Sequence, residues 1–162
     1  MNTFRARIRL FFPPPVLLVL FLLFDVLTSW PAIMQWRRFI TLPLTSCAAA
    51  VIGGLSLCLI ITGLLQLISR NTTINALQPD KTKTLVIEGC YKFSRNPVYL
   101  GFVGMHLSAA TGLSSVVGLL VTPLLVMLIT TLHIQFEETE MARLFGQQWN
   151  AYSRKTPRWL WR

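Results

Sequence analysis

Apolar residues fall in long, nearly uninterrupted blocks, with the polar residues gathered between them. Residues 10–30 carry one charge, Asp25, and residues 39–69 carry none over 31 positions. Each block is long enough to read as a membrane-crossing helix. The first predicts a helix over about 14–30, started by Pro13-Pro14-Pro15, because missing amide donors cost little in a first turn. The second predicts a helix over about 46–68, with Gly53, Gly54 and Gly63 allowing close helix approach. A third block, residues 96–136, has 41 positions without a charge. As one helix it would reach roughly 60 Å, about twice the bilayer core. It therefore predicts two helices, about 97–112 and 115–136, turning at Gly112-Leu113-Ser114-Ser115, with Pro123 as a kink in the second arm. The pattern as a whole predicts an all-α integral membrane protein, one domain over 1–162 with about four transmembrane helices.

Two polar stretches remain. Residues 70–95 form the one substantial loop, with Gln78-Pro79-Asp80 as a turn. From Glu137 the chain becomes amphipathic and ends in a basic, Trp-rich tail (Arg154, Lys155, Arg158, Trp159, Trp161, Arg162), expected at the membrane surface. Composition agrees: 53% of residues are hydrophobic and 13% charged, about half the charge of a soluble domain. The net charge of +9 raises nucleic acid as a partner, but the basic residues cluster at the edges of apolar blocks. That placement suits lipid headgroups and excludes a phosphate-tracking groove. Thirteen Lys and Arg fall on the side holding both ends of the chain and the long loop, and two, Arg37 and Arg38, on the other. The positive-inside rule puts both termini in the cytoplasm, and the expectation is a multi-pass bacterial inner-membrane protein. Cys47, Cys58 and Cys90 are too scattered for a disulfide framework or a zinc site, so no metal is expected.

The candidate chemistry gathers on the cytoplasmic side. Arg95 opens the third helix while Glu137 and Glu138 follow the fourth, so a helical hairpin brings them to one membrane face. A guanidinium and carboxylates converging there suit a zwitterionic ligand, Arg95 taking a carboxylate and a Glu an amine. Taken by spacing alone, the same residues also read as ordinary charges marking helix ends. Asp25 reads either as a functional intramembrane acid or as a residue near enough the helix end to reach the interface, and its position favours the second. His133 stands one turn before Glu137, on the same helix face, or else simply marks the interface.

Thr84-Leu85-Val86, Gly89-x-Tyr91 and Arg95-Asn96-Pro97-x-Tyr99-x-Gly101, followed by Glu137-Glu138, Phe145-Gly146 and Tyr152, resemble in order the two cofactor-binding blocks of integral membrane methyltransferases. That group includes the isoprenylcysteine carboxyl methyltransferases and the phospholipid N-methyltransferases. The resemblance implies S-adenosylmethionine bound between residues 83–101 and 137–159. The positions carried over are Lys83, Thr84, Leu85, Val86, Tyr91, Asn96, Pro97, Val98, Tyr99, Glu137 and Glu138. Tyr91 and Tyr99 would offer flat faces to adenine or the sulfonium, although both also suit an interfacial aromatic belt. Glu138, His133 and Arg95 are the candidate catalytic residues, with His133 or a Glu accepting a proton where the methyl acceptor must lose one.

The resemblance has departures. Prenylcysteine enzymes typically carry His before the motif proline, where this chain has Asn96, and a substrate-contacting Arg where it has His133. A neutral His cannot clamp a carboxylate bidentately, which weakens the case for a prenylcysteine. The expected acceptor is a lipophilic molecule from the bilayer. The alternatives are a phospholipid or amine N-methyltransferase and a non-catalytic membrane subunit that keeps the fold.

Overall fold

The computed structural model of the chain describes residues 3–33 and 43–160, and within them all regular structure is helical. Arg37, Arg38, Trp161 and Arg162 lie outside the described residues. The helices are α1 (Thr3–Phe11), α2 (Pro14–Ile33), α3 (Pro43–Ser69), α4 (Pro97–Gly112), α5 (Val116–Ile129) and α6 (Gln135–Lys155). Between α5 and α6 the chain stays helical through a π segment, Thr130–Ile134. The loop contributes two 3-10 turns, Pro79–Lys81 and Gly89–Lys92.

Proline sets the first boundary. Pro13-Pro14-Pro15 ends α1 and starts α2: the Phe12 amide closes α1 on Ile8, and the Val16 and Leu17 amides both return to the Pro13 carbonyl. Pro97 opens α4 in the same way. At the hairpin, Ser114 adopts a positive φ of 51° and Ser115 caps α5 by accepting from the Gly118 amide at 3.0 Å. α5 continues through Pro123, and the departure from α geometry comes later, at the π segment.

Leu44–Ser69 and the continuous stretch Val116–Lys155 are long and apolar enough to cross a membrane, and Pro14–Trp30 is a shorter apolar helix. Val19, Leu23, Leu55, Leu65, Leu120 and Leu124 face outward, an outer surface suited to acyl chains. α3 packs most extensively on α4, while α2 lies against both arms of the α4–α5 hairpin. Small residues set that closeness. A side chain on Gly63 would come within 2.7 Å of Val98 Cγ2, and one on Gly101 within 2.8 Å of the Ser56 carbonyl.

Asp25 does not reach an interface. Its side chain is fully enclosed, with Oδ2 2.9 Å from His106 Nδ1 on α4. The other ring nitrogen, Nε2, lies 3.2 Å from the Gly118 carbonyl on α5, so one acid and one ring tie three helices together. Gly118 is required there, since a Cβ would sit 2.4 Å from Asp25 Oδ1. The tail also departs from expectation: Trp159 is buried in the core with Leu17, Tyr99 and Ile129 rather than lying on a membrane surface.

Candidate active site

Four helix ends and the long loop enclose a cavity of about 280 Å³. Pro14 and Pro15 come from the start of α2, Leu64 and Leu67 from the end of α3, residues 95–99 and Phe102 from α4 and its approach, and Glu137 and Glu138 from the start of α6. The loop closes the mouth because buried Thr72 accepts the Lys83 and Thr84 amides at its Oγ1, at 3.1 and 3.4 Å. That fixes the backbone at Thr84, and Thr84, Leu85 and Val86 line the cavity.

The helix that carries the two glutamates then breaks. Gly146 takes φ +48°, ψ −115° inside α6, a conformation that a side chain would strain, and a Cβ there would meet nothing within 4 Å. Backbone freedom, not space, is what the glycine supplies. Past the break the chain returns across the site: Trp149 and Tyr152 line the cavity, and the Tyr152 hydroxyl donates to the Tyr91 carbonyl at 2.7 Å. Residues 156–159 cover the start of α4. The Arg95 amide donates to the Pro157 carbonyl at 2.9 Å, and Ser94 Oγ and Asn96 Nδ2 both donate to the Arg158 carbonyl. Asn96 thus spends its side chain on the tail rather than capping α4.

The adjacent glutamates have unlike surroundings. Arg158 holds Glu138 through both oxygens, Nε to Oε1 at 3.1 Å and Nη2 to Oε2 at 2.5 Å, and Arg95 Nη2 stands 3.2 Å from Oε1. Hydrogen bonding to that carboxylate holds the Arg158 guanidinium above its ordinary value. Among the described residues Glu137 makes no ion pair; its Oε1 accepts from the Tyr99 hydroxyl. Burial pushes the Glu137 carboxyl up to about 8, with the Tyr99 hydrogen bond opposing and the Glu138 charge adding to the rise. Burial likewise raises the phenols of Tyr91 and Tyr152 and the Cys90 thiol, keeping all three protonated. Arg95 also lies over the Trp149 ring, 5.4 Å from its centroid, and its buried Nε lacks a hydrogen-bond partner.

Of the residues expected here, Thr84, Leu85, Val86, Tyr91, Asn96, Pro97, Val98 and Tyr99 line the cavity, as do Arg95, Glu137 and Glu138. Lys83 is exposed and contributes its amide to Thr72 instead. His133 lies outside this lining. Its ring is fully buried away from the cavity and its Nε2 donates to the Phe12 carbonyl at 2.8 Å. The π segment and the proline run explain this contact. Three successive prolines leave Phe12 without a helical amide partner, and the π segment carries the ring that takes its place. Glu138, expected as a catalytic group, is already held by two guanidiniums. Sequence reasoning missed Pro14, Pro15, Met141 and Trp149 in the lining and Arg158 beside it; the i, i+3 spacing of Trp149 from the motif residue Tyr152 was the available signal for Trp149.

The phospholipid methyltransferase family matches residues 44–148, about two thirds of the chain, spanning both motif blocks as far as Gln148. The chain belongs to the phospholipid methyltransferase family. No curated protein and no solved structure matches it. The cavity of this methyltransferase-family chain is lined by residues from the start of both matched blocks, Thr84 to Tyr99 and Glu137-Glu138. The segment that closes it, residues 149–160, lies past the matched region.

Proposed function

We propose that the cavity binds S-adenosylmethionine and that the chain transfers its methyl group to a lipophilic acceptor entering from the bilayer. The observation that carries this reading is that one cavity is lined both by Glu137, a carboxyl with no ion pair among the described residues, and by the Arg95 guanidinium. Glu137 fits an ammonium and the Arg95 guanidinium a carboxylate, the two charged ends of an amino-acid moiety. The Tyr91 and Tyr99 rings add flat surfaces, and a volume of about 280 Å³ lies at the lower edge of small-molecule sites.

When bound, S-adenosylmethionine supplies a methyl carbon already activated by its sulfonium leaving group. The work left to the chain is alignment and exclusion of water. Glu137 and Arg95 orient the amino-acid end, while Leu64, Leu67 and Phe102 add apolar lining for an acyl or prenyl chain. An amine acceptor would have to lose a proton, whereas a carboxylate acceptor needs no base.

The topology that goes with this reading has four crossings and both termini in the cytoplasm. It is supported by the thirteen-to-two distribution of Lys and Arg, and by the ends that line the cavity. Those are the start of α2, the end of α3, the start of α4 and the start of α6, the alternate ends that an up-down bundle collects on one side.

The test is transfer of a labelled methyl group from S-adenosylmethionine into membranes by the purified full chain. Label is expected in the organic-extractable fraction. Label confined to water-soluble products overturns lipid access, and absence of cofactor binding by calorimetry overturns the methyltransferase reading.

A further inference from the structure

We propose that residues 149–160 act as a clasp and that Arg158 is a positioning residue for the cofactor site. This rests on the cavity being the cofactor site, but its structural half stands independently. The contacts connect segments that the chain separates widely. The Tyr152 hydroxyl donates to the Tyr91 carbonyl, Thr156 Oγ1 approaches the Lys92 carbonyl at 3.4 Å, and the Pro157 and Arg158 carbonyls receive Arg95, Ser94 and Asn96. One short stretch therefore satisfies polar groups on nearly every residue from 91 to 96. Those residues have little regular structure of their own, only a single 3-10 turn ending at Lys92. Left alone, such a loop would sample many backbone states.

Arg158 is the point where the clasp closes. Its bidentate grip on Glu138 joins the tail to the start of α6, while its own carbonyl joins the tail to the start of α4. The same guanidinium shares Glu138 with Arg95. Without it, Glu138 would draw Arg95 into a one-to-one pair and compete for the donors that face the cavity. Arg158 thereby sets the position of Arg95 without lining the cavity itself. Trp159, buried beside Leu17 and Tyr99, anchors the far end.

The experiment compares the full-length wild type with Arg158→Ala, Arg158→Lys and Tyr152→Phe in detergent or nanodiscs. Hydrogen exchange is read over residues 90–97 without cofactor, and S-adenosylmethionine affinity by calorimetry. For Arg158→Ala, exchange over residues 90–97 should rise roughly tenfold or more while that in α3 stays unchanged, and cofactor Kd should rise by a similar factor. The cofactor KM should follow Kd, with kcat at saturating cofactor largely kept. Arg158→Lys should restore part of both effects, since a point charge replaces a fork. If Arg158→Ala fails to fold, Tyr152→Phe carries the test, because it deletes only the hydroxyl held by the Tyr91 carbonyl. Exchange and Kd both within twofold of wild type overturn the clasp. A loosened loop with unchanged Kd overturns the positioning role. A wild type that binds no cofactor overturns the functional reading, and the exchange data then judge the clasp alone.

Discussion

Asp25, in α2, and Glu138, where α6 begins, are both withdrawn from solvent, yet they are neutralised in different ways. Asp25 faces a single imidazole at 2.9 Å, and neither side chain has any exposed surface. The pair lies about 16 Å along α2 from Pro14, away from the cavity. Two bare acceptors would repel at that distance, so the acid and the ring must share a proton. Glu138 is instead shared by two guanidiniums at a cavity wall, leaving one positive charge over. A sealed site must balance its own charge, because nothing can enter to do so. A cavity wall can keep an imbalance, with Glu137 beside it on the Tyr99 hydroxyl, for a ligand to complete.

Breaking the sealed pair should have the largest effect. His106→Leu leaves a buried acid without its partner and is expected to lower stability by about 3–5 kcal/mol in detergent unfolding. Adding Asp25→Ala should recover at least half of that loss. A double variant as unstable as the single one would show that the pair is not a charge-balancing unit.

At the cavity, Glu137→Ala is expected to weaken S-adenosylmethionine binding by about 1–3 kcal/mol, measured by calorimetry. Unchanged affinity in a folded variant would remove Glu137 from the site. The same residue predicts a pH dependence. Its carboxyl is pushed up to about 8, so the ionised form that pairs with an ammonium is scarce at lower pH. Cofactor affinity should therefore climb from pH 6 toward 8 and fall again above it, as the ligand's own α-ammonium loses its proton. Stability of the ligand-free protein should move the other way. The folded state keeps a proton that the unfolded chain releases near its ordinary value of 4.5, so this contribution is full below 4.5 and is lost as pH rises toward 8. Affinity that is flat across this range would contradict an ammonium on Glu137.

Smaller effects separate structural contacts from surface ones. His133→Ala should cost about 1–2 kcal/mol of stability by leaving the Phe12 carbonyl buried without a donor, with His133→Gln restoring part of it. Cofactor affinity should stay close to that of the wild type in both. A lost turnover with stability intact would return His133 to the chemistry. Arg70→Ala removes an ion pair with Glu88 in which both side chains are more than half exposed. Less than about 1 kcal/mol is expected in thermal unfolding.

Much of the helical content was legible from the chain. Apolar block length, the proline run before α2, Pro97 before α4 and the small polar residues at the hairpin are local signals, and the elements form near them. The motif blocks were legible for the same reason, each being a short run of residues read in order. Other features depend on partners remote in sequence. His133 meets Phe12 across 121 positions, Ser94 meets Arg158 across 64, and Asp25 meets His106 across 81. Periodicity carries no information on such pairs. Both Asp25 and Trp159 were misread because a charge near a helix end and a Trp in a basic tail ordinarily sit at an interface.

By itself, the sequence determined that this chain is helical, that its apolar blocks must be withdrawn from water, and that its carboxylates and cations gather between those blocks. These follow from hydrophobicity and backbone propensity, which act residue by residue. Tertiary structure alone decided which of two neighbouring glutamates is held by cations and which is left to face a ligand. Adjacent residues on a helix point about 100° apart, so identical side chains enter different surroundings. Only the returning tail, turned at Gly146, places Arg158 on one of them and not the other.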